Sequence, residues 1–315
     1  MADARHAWRL QFGLGATGLS AALLAVAVAV TRIEFTVPSM GQLLDACRQW
    51  TVSDVSAQSL GLFALGSIGL AVIALTLRSF WRQARAGRRF ARRLRGLPGL
   101  PGVRNGFVVD DDQPHAFCFG LLRPRGFVSR GAIAFLDRRE LDAVIAHELH
   151  HARRRDPLRL FVARGLAEGL FFMPVLRRLV DRCAAVAELD ADMAAVRATG
   201  GPQALASALL ALESHPGPLS VGIAPERVDR LLGRRSGWEL PALMMVGAIA
   251  ASMTLLAFTV RLAESTSHAS VALPALVAEL CMLAMAAVPI ALGASVLFAG
   301  CAKLQRDLGS ARADG

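Results

Sequence analysis

Apolar positions along this chain fall into two kinds of pattern. Four long runs are apolar almost throughout: about residues 10–30, 59–77, 241–260 and 271–300. Each is long enough for a helix to cross a bilayer, which needs about 20 mostly apolar residues. The fourth holds Pro274, Glu279 and Pro289, so a tilt or kink is expected there. The first is a poor match for a cleaved leader, because it is long and "AVTRIEF" at its end lacks a small-x-small cleavage site.

Between the second and third runs the pattern changes to dense charge, turn signals and short alternating pieces. "LPGLPGVRNG" is a turn-rich linker, and "FVVDDD" and "HAFCFGLLRPRGFVS" read as short strands, the latter a hairpin around Arg123–Gly126. After the hairpin the period is helical. The pattern therefore predicts a mainly α membrane protein of about four transmembrane helices with an inserted α+β domain. Its parts are residues 1–96 (two spans and an Arg-rich segment), 97–240 (the inserted domain) and 241–315 (two spans and a short tail).

Charge gives the orientation. The formal net charge is +10, almost all from arginine, and Lys303 is the one lysine. "RSFWRQARAGRRFARRLR" follows the second run directly, with Arg78, Arg82, Arg85, Arg88, Arg89, Arg92, Arg93 and Arg95. The positive-inside rule puts this segment, the inserted domain and both termini in the cytoplasm, and the chain in the inner membrane. A run abutting a span is expected to lie as a helix against anionic lipid, so the bilayer is its partner and no direct nucleic-acid binding is expected. Cys47, Cys118, Cys183, Cys281 and Cys301 are scattered without a CxxC pair, which argues against a disulfide framework and a thiolate metal site.

The candidate chemistry lies in "AVIAHELHHARRRDPL", where His147, Glu148, His150 and His151 crowd one stretch. Asp137 can cap this helix, with Glu140 closing a capping box, and Pro157 ends it. His147-Glu148-Leu149-His150-His151 satisfies H-E-x-x-H. Residues four apart share a helix face, so His147 and His151 can direct their rings at one metal. Glu148, about 100° round the helix, can reach a water on that metal as a general base. His150 is off this pair by one position.

A catalytic zinc takes a third protein ligand. The metzincin extension fails, since Arg154 and Pro157 stand where Gly and His would be needed. "VAELDADMAAVRATGG" offers Glu188 as the ligand. Asp192, one turn on, can accept the free N–H of a zinc-bound imidazole. Asp190 points elsewhere, and Glu168 lies in a more apolar segment where a charge at the membrane surface is the expected reading.

"HAFCFGLLRPRGFVSRG", "LDRRELDAVIAHELHHARRRDPL" and "ELDAD" together resemble the BlaR/MecR family of integral-membrane metallopeptidases. More distantly they resemble the prenyl-protein and heat-shock membrane endopeptidases, which share H-E-x-x-H plus E-x-x-x-D. The resemblance implies a gluzincin-like zinc domain with one Zn2+ on His147, His151 and Glu188. It implies Glu148 as base and Asp192 as support, and points to His215 or Arg227 as candidate oxyanion or substrate contacts. The strand piece Phe117, Cys118, Phe119 and Gly120 can pair with an extended substrate. It further implies a protein substrate, such as a transcriptional repressor in signal transduction. Quality control of membrane proteins, or a non-catalytic zinc-binding sensor, are the alternatives. The outer loops, about 31–58 and 261–270, are too short for a penicillin-binding sensor domain, so a stand-alone member is expected.

Overall fold

Helices dominate the computed structural model, which describes residues 2–36, 41, 57–213, 242–265 and 269–272. In chain order the elements are α1 (Ala2–Arg32), β1 (Ile33–Thr36), α2 (Ala57–Arg93), β2 (Gly106–Val109), β3 (Ala116–Phe119) and β4 (Arg125–Ser129). Then come α3 (Arg130–Phe135), α4 (Arg138–Arg154), α5 (Asp156–Gly169), α6 (Val175–Thr199), α7 (Gln203–Glu213), α8 (Ala242–Ser265) and β5 (Ala269–Ala272). The chain forms two compact units, residues 1–25 with 67–258, and residues 26–66 with 259–315.

Three described helices are long and apolar enough to cross a membrane: Arg5–Arg32, Leu60–Arg93 and Leu243–Ser265. The fourth expected span, 271–300, falls outside the described residues except for its first two, which belong to β5. The Arg-rich segment is no separate surface helix. It prolongs α2 without a break, because between Leu77 and Arg93 only Gly87 is a poor helix former and no proline intervenes. Its arginines Arg78, Arg82, Arg85, Arg88, Arg89, Arg92, Arg93 and Arg95 are all exposed. The opposite face turns inward. Phe80 stacks on Phe161 of α5, and Phe90 packs on Phe117 and Phe119 of β3 at ring distances of 5.5 and 5.0 Å.

The larger unit holds a three-stranded sheet in the order β2-β4-β3. β3 and β4 are the expected antiparallel hairpin, with Cys118 opposite Gly126. β2 runs parallel to β4. Gly120 sits in the turn after β3 at φ +114°, where a Cβ would come within 2.7 Å of the Arg123 carbonyl oxygen. It therefore ends the strand piece instead of belonging to it. Phe107, Phe127 and Phe117 stack across one face of the sheet.

α4 lies between this sheet and the later helices. Val144 packs with Val128, Ala132, Leu136 and Ala208, and Ala143 packs with Ala195 and Leu205. A larger apolar core joins Trp8, Val72, Leu166, Leu170, Met173, Leu176, Leu179 and Ala248 from α1, α2, α5, α6 and α8. In the second unit β1 pairs in parallel with β5, and Gly66 lets α2 approach Ala29 of α1, since a Cβ there would be 2.7 Å from the alanine's.

Candidate metal centre

The helix carrying the histidines is fixed at both ends. Asp137 accepts a hydrogen bond from the Glu140 amide at 2.8 Å, and Glu140 accepts one from the Asp137 amide at 2.9 Å, closing the expected capping box. The other Glu140 oxygen accepts from the Ser207 hydroxyl, so α7 is tied to the same cap. At the far end Arg155 adopts a left-handed conformation, φ 54° and ψ 38°, and its N–H returns to the α4 carbonyls. Pro157 does less to end α4 than to start α5, where it occupies the first turn and its missing N–H costs nothing.

His147 and His151 are buried and their rings meet edge to face, with centroids 4.8 Å apart. Their Nε2 atoms lie 3.1 Å from each other. Glu188, from the middle of α6, closes a triangle: Oε2 is 3.4 Å from His147 Nε2, and Oε1 is 3.5 Å from His151 Nε2. Among the described residues these three form the one group of donors that could hold a metal ion. Zinc bonds near 2.1 Å in tetrahedral geometry put neighbouring donors about 3.4 Å apart. The observed edges of 3.1, 3.4 and 3.5 Å match that spacing.

Each ring is steered from behind by a buried carboxylate. His147 Nδ1 is 3.0 Å from Asp192 Oδ1, and Asp192 is 1% exposed. His151 Nδ1 is 2.9 Å from Asp156 Oδ2, and Asp156 is 3% exposed. Such contacts leave the proton on Nδ1 and the lone pair on Nε2, the tautomer a metal needs. In the metal-free chain burial pulls the His147 pKa down. The Asp192 hydrogen bond and the Glu188 and Glu148 carboxylates outweigh it and push it up to about 10.

Asp156 was missing from the sequence reading. Its one local trace is the Asp-Pro pair five residues past His151, which an acid at a helix N-terminus explains without any metal. Its second oxygen sits 3.6 Å from Arg159 Nη1. The rival carboxylates are occupied elsewhere. Asp190 pairs with Arg154 at 3.8 Å, and Glu168 pairs with Arg82 of α2.

Glu148 is half-buried beside the sheet, where a Cβ on Gly126 would lie 3.6 Å from its own Cβ. Cys118 is opposite Gly126. Burial, then the charges of Glu148 and Asp156, push its thiol up to about 12, so it stays neutral. Thus β3, an edge of the described sheet, runs past Glu148 with Phe117 and Phe119 on its other face. His150 supplies no donor to the triangle. His215 and Arg227 lie outside the described residues.

Residues 81–269, more than half the chain, match peptidase family M48. The chain belongs to peptidase family M48. Among curated relatives, a "Protease HtpX homolog" of Acidiphilium cryptum (strain JF-5) is 42% identical over 66 residues, 20% of this chain and 23% of that protein. One from Thermodesulfovibrio yellowstonii is 35% identical over 69 residues, 21% of this chain and 24% of that protein. A third, from Polynucleobacter necessarius subsp. necessarius, is 28% identical over 197 residues, 43% of this chain and 68% of that protein. The chain thus spans about a quarter of the length of the first two relatives. The M48 match begins inside α2 and runs into β5, so it includes the Arg-bearing extension as well as the metal centre.

Proposed function

We propose that this M48 chain is a membrane-anchored zinc endopeptidase with its metal centre on the cytoplasmic side of the inner membrane. The observation that carries the reading is the donor triangle of His147, His151 and Glu188 with a buried aspartate behind each histidine. A structural zinc takes four protein ligands. Here three donors converge beside a half-buried glutamate, the arrangement of a site that keeps a position open for chemistry.

Bound zinc would supply Lewis acidity to a water molecule and to a scissile carbonyl. Glu148 accepts the water proton and returns it to the leaving amine nitrogen. Asp156 accepts the Nδ1–H of His151 and the Asp192 carboxylate faces His147 Nδ1 at 3.0 Å, which keeps both rings in register with Glu188. β3 offers its free backbone groups to an extended polypeptide, as edge strands do in β-augmentation. Cys118, neutral in this setting, adds bulk to the cleft wall and no charge.

The likeness to the BlaR/MecR peptidases rests on the His helix, the β3–β4 hairpin and the ELDAD segment. The curated relatives carry the HtpX name instead. We therefore place quality control of membrane proteins ahead of cleavage of a repressor. The test is purified protein in detergent. The expected results are about one zinc per chain, hydrolysis of an unfolded membrane protein, and a Glu148→Gln variant that keeps its zinc and loses hydrolysis by at least about 100-fold. Full activity of Glu148→Gln would remove it from the reaction.

A further inference from the structure

α5, the turn after it and α6 form a hairpin whose open end carries the metal centre, with Asp156 at the start of α5 and Glu188 and Asp192 along α6. The closed end is different in character. Its sequence is "GLFFMPVL", Gly169 to Leu176. Leu170, Met173, Val175 and Leu176 are fully buried, while Phe171 is 50% exposed.

The neighbours of this tip are span residues. Gly18 of α1 faces Leu170 and Met173, and Gly15 faces Leu166. Gly169 lies against Thr76 of α2 and Gly165 against Phe80; a Cβ on either would come within about 2 Å of those side chains. The Ser252 hydroxyl of α8 lies 3.9 Å from the Met173 sulfur. Gly165 and Gly169 are four apart, the small-xxx-small spacing by which helices approach closely in membranes.

These contacts give a depth. Gly18 is nine residues beyond Arg9, the last charge on α1 before Arg32, so it lies roughly 13 Å further along the helix. On α2 the root of the tip, Gly169, meets Thr76, two residues inside Arg78 or about 3 Å, while Val72, in the same buried cluster as Leu170 and Met173, is six residues inside, or about 9 Å. Ser252 is nine residues inside Leu243 of α8, about 13 Å. The root of the tip thus lies near the charged level, and Leu170 and Met173 lie deeper, beside the apolar stretches of all three helices. At that level their outer faces show Leu70, Leu75, Ile249 and Met253, all exposed and apolar like Phe171.

In lipid a backbone N–H needs an internal partner, and part of the tip's backbone has one. Leu170 donates to Leu166, Met173 to Leu170, Leu176 to Met173 and Arg177 to Pro174, which itself has no N–H. The nearby charges fit as well. Glu168 is paired with Arg82. Arg177 and Arg178, one turn above Pro174, reach the headgroups by snorkelling.

We propose that residues 169–176 are a re-entrant hairpin tip immersed in lipid on the Arg-bearing side, and that this immersion sets the height of the metal centre. Glu188 stands fourteen residues past Pro174, about 21 Å along α6. Subtracting a tip depth of about 9–13 Å leaves the metal roughly 8–12 Å above the hydrocarbon boundary. An extended chain covers that in about three or four residues. Resting on the endopeptidase reading above, the substrates are membrane-tethered polypeptides cut a few residues outside their spans.

Two experiments separate the parts. The first needs no proteolysis. The full chain in vesicles is treated with a bilayer-soluble carbene precursor, and a nitroxide is placed at Phe171→Cys in a variant whose other cysteines are replaced and whose zinc content is unchanged. Labelling within Leu170–Pro174, with oxygen contact at 171 like that at Leu75→Cys, is the expected result. Water-like contact at 171, like that at Arg130→Cys, together with an unlabelled tip, overturns the immersion. The second uses single-span substrates whose one cleavable bond lies from about one to about sixteen residues outside the span. Bonds at the span's edge should stay intact, with cutting from about four residues outward. Equal cutting at the edge overturns the height. No cutting of any rung sinks the endopeptidase reading and leaves the lipid result standing.

Discussion

Removing the carboxylate behind either histidine tests the metal centre without touching a donor. Asp192→Ala leaves His147 Nδ1 buried with no acceptor, because Asp192 is 1% exposed and its oxygen is the group 3.0 Å away. Asp156→Ala does the same to His151, whose partner oxygen is 2.9 Å away, and also frees Arg159. Losing such a support lowers metal affinity about 10- to 100-fold, or roughly 1.4–2.7 kcal/mol. Asp192→Asn keeps an acceptor and loses only the charge, so it should fall between Ala and the native residue. Zinc affinity is measured by competition with a chromophoric chelator at fixed pH, with circular dichroism as the folding control. The double alanine variant should lose more than either single one, since both rings must be oriented at once. A folded Asp192→Ala protein with native zinc affinity would refute the claim that these carboxylates set the tautomer.

Zinc must displace the proton that His147 holds up to about pH 10, so affinity should rise about tenfold per pH unit for that proton between pH 6 and 9, read by the same competition. For the metal-free fold the sign is opposite. The His147 pKa is raised from 6.5 to about 10, so its stabilising contribution is full below pH 6.5 and lost as pH climbs through about 10, which urea titrations across pH would show. Gly165→Ala and Gly169→Ala should each destabilise the chain by about 1–3 kcal/mol through forced separation of α5 from α2, seen as a lower thermal midpoint in detergent. Topology is checked with single cysteines in intact cells: an impermeant thiol reagent should spare a cysteine at Ser214 and modify one at Ser53, and the reverse pattern would put the metal centre outside.

Local chemistry made part of this centre readable in the residue string. The four-residue spacing of His147 and His151, the same spacing in Glu188 and Asp192, and the Asp137–Glu140 cap are all properties of single helices. The β3–β4 hairpin was readable for the same reason. Asp156 was not, because its role depends on Arg155 turning left-handed so that the next helix starts under His151, a path no periodicity encodes. Glu168 looked like a lone charge at the membrane surface, but its meaning comes from Arg82, eighty-six positions away. The parallel pairing of β2 with β4, and the continuity of α2 through its arginines, likewise rest on tertiary contacts and on the absence of a breaker. Hydropathy found the three described helices long enough to span but gave "GLFFMPVL" no depth, since a stretch so short carries no spanning signal.

The contact of Phe90 with Phe117 and Phe119 has a consequence for anyone wishing to make this protein soluble. Cutting at the turn-rich linker before β2 discards the apolar span but also strips the aromatic wall from the back of β3. It also uncovers Phe161 and Gly165 on α5, which Phe80 shields. The fragment would keep every metal donor while its cleft strand lost its backing and its new surface turned sticky. A start near Arg78 instead keeps the arginine helix as a built-in splint whose charged outer face suits water, but it still uncovers Leu166, Leu170 and Met173, which α1 and α2 cover.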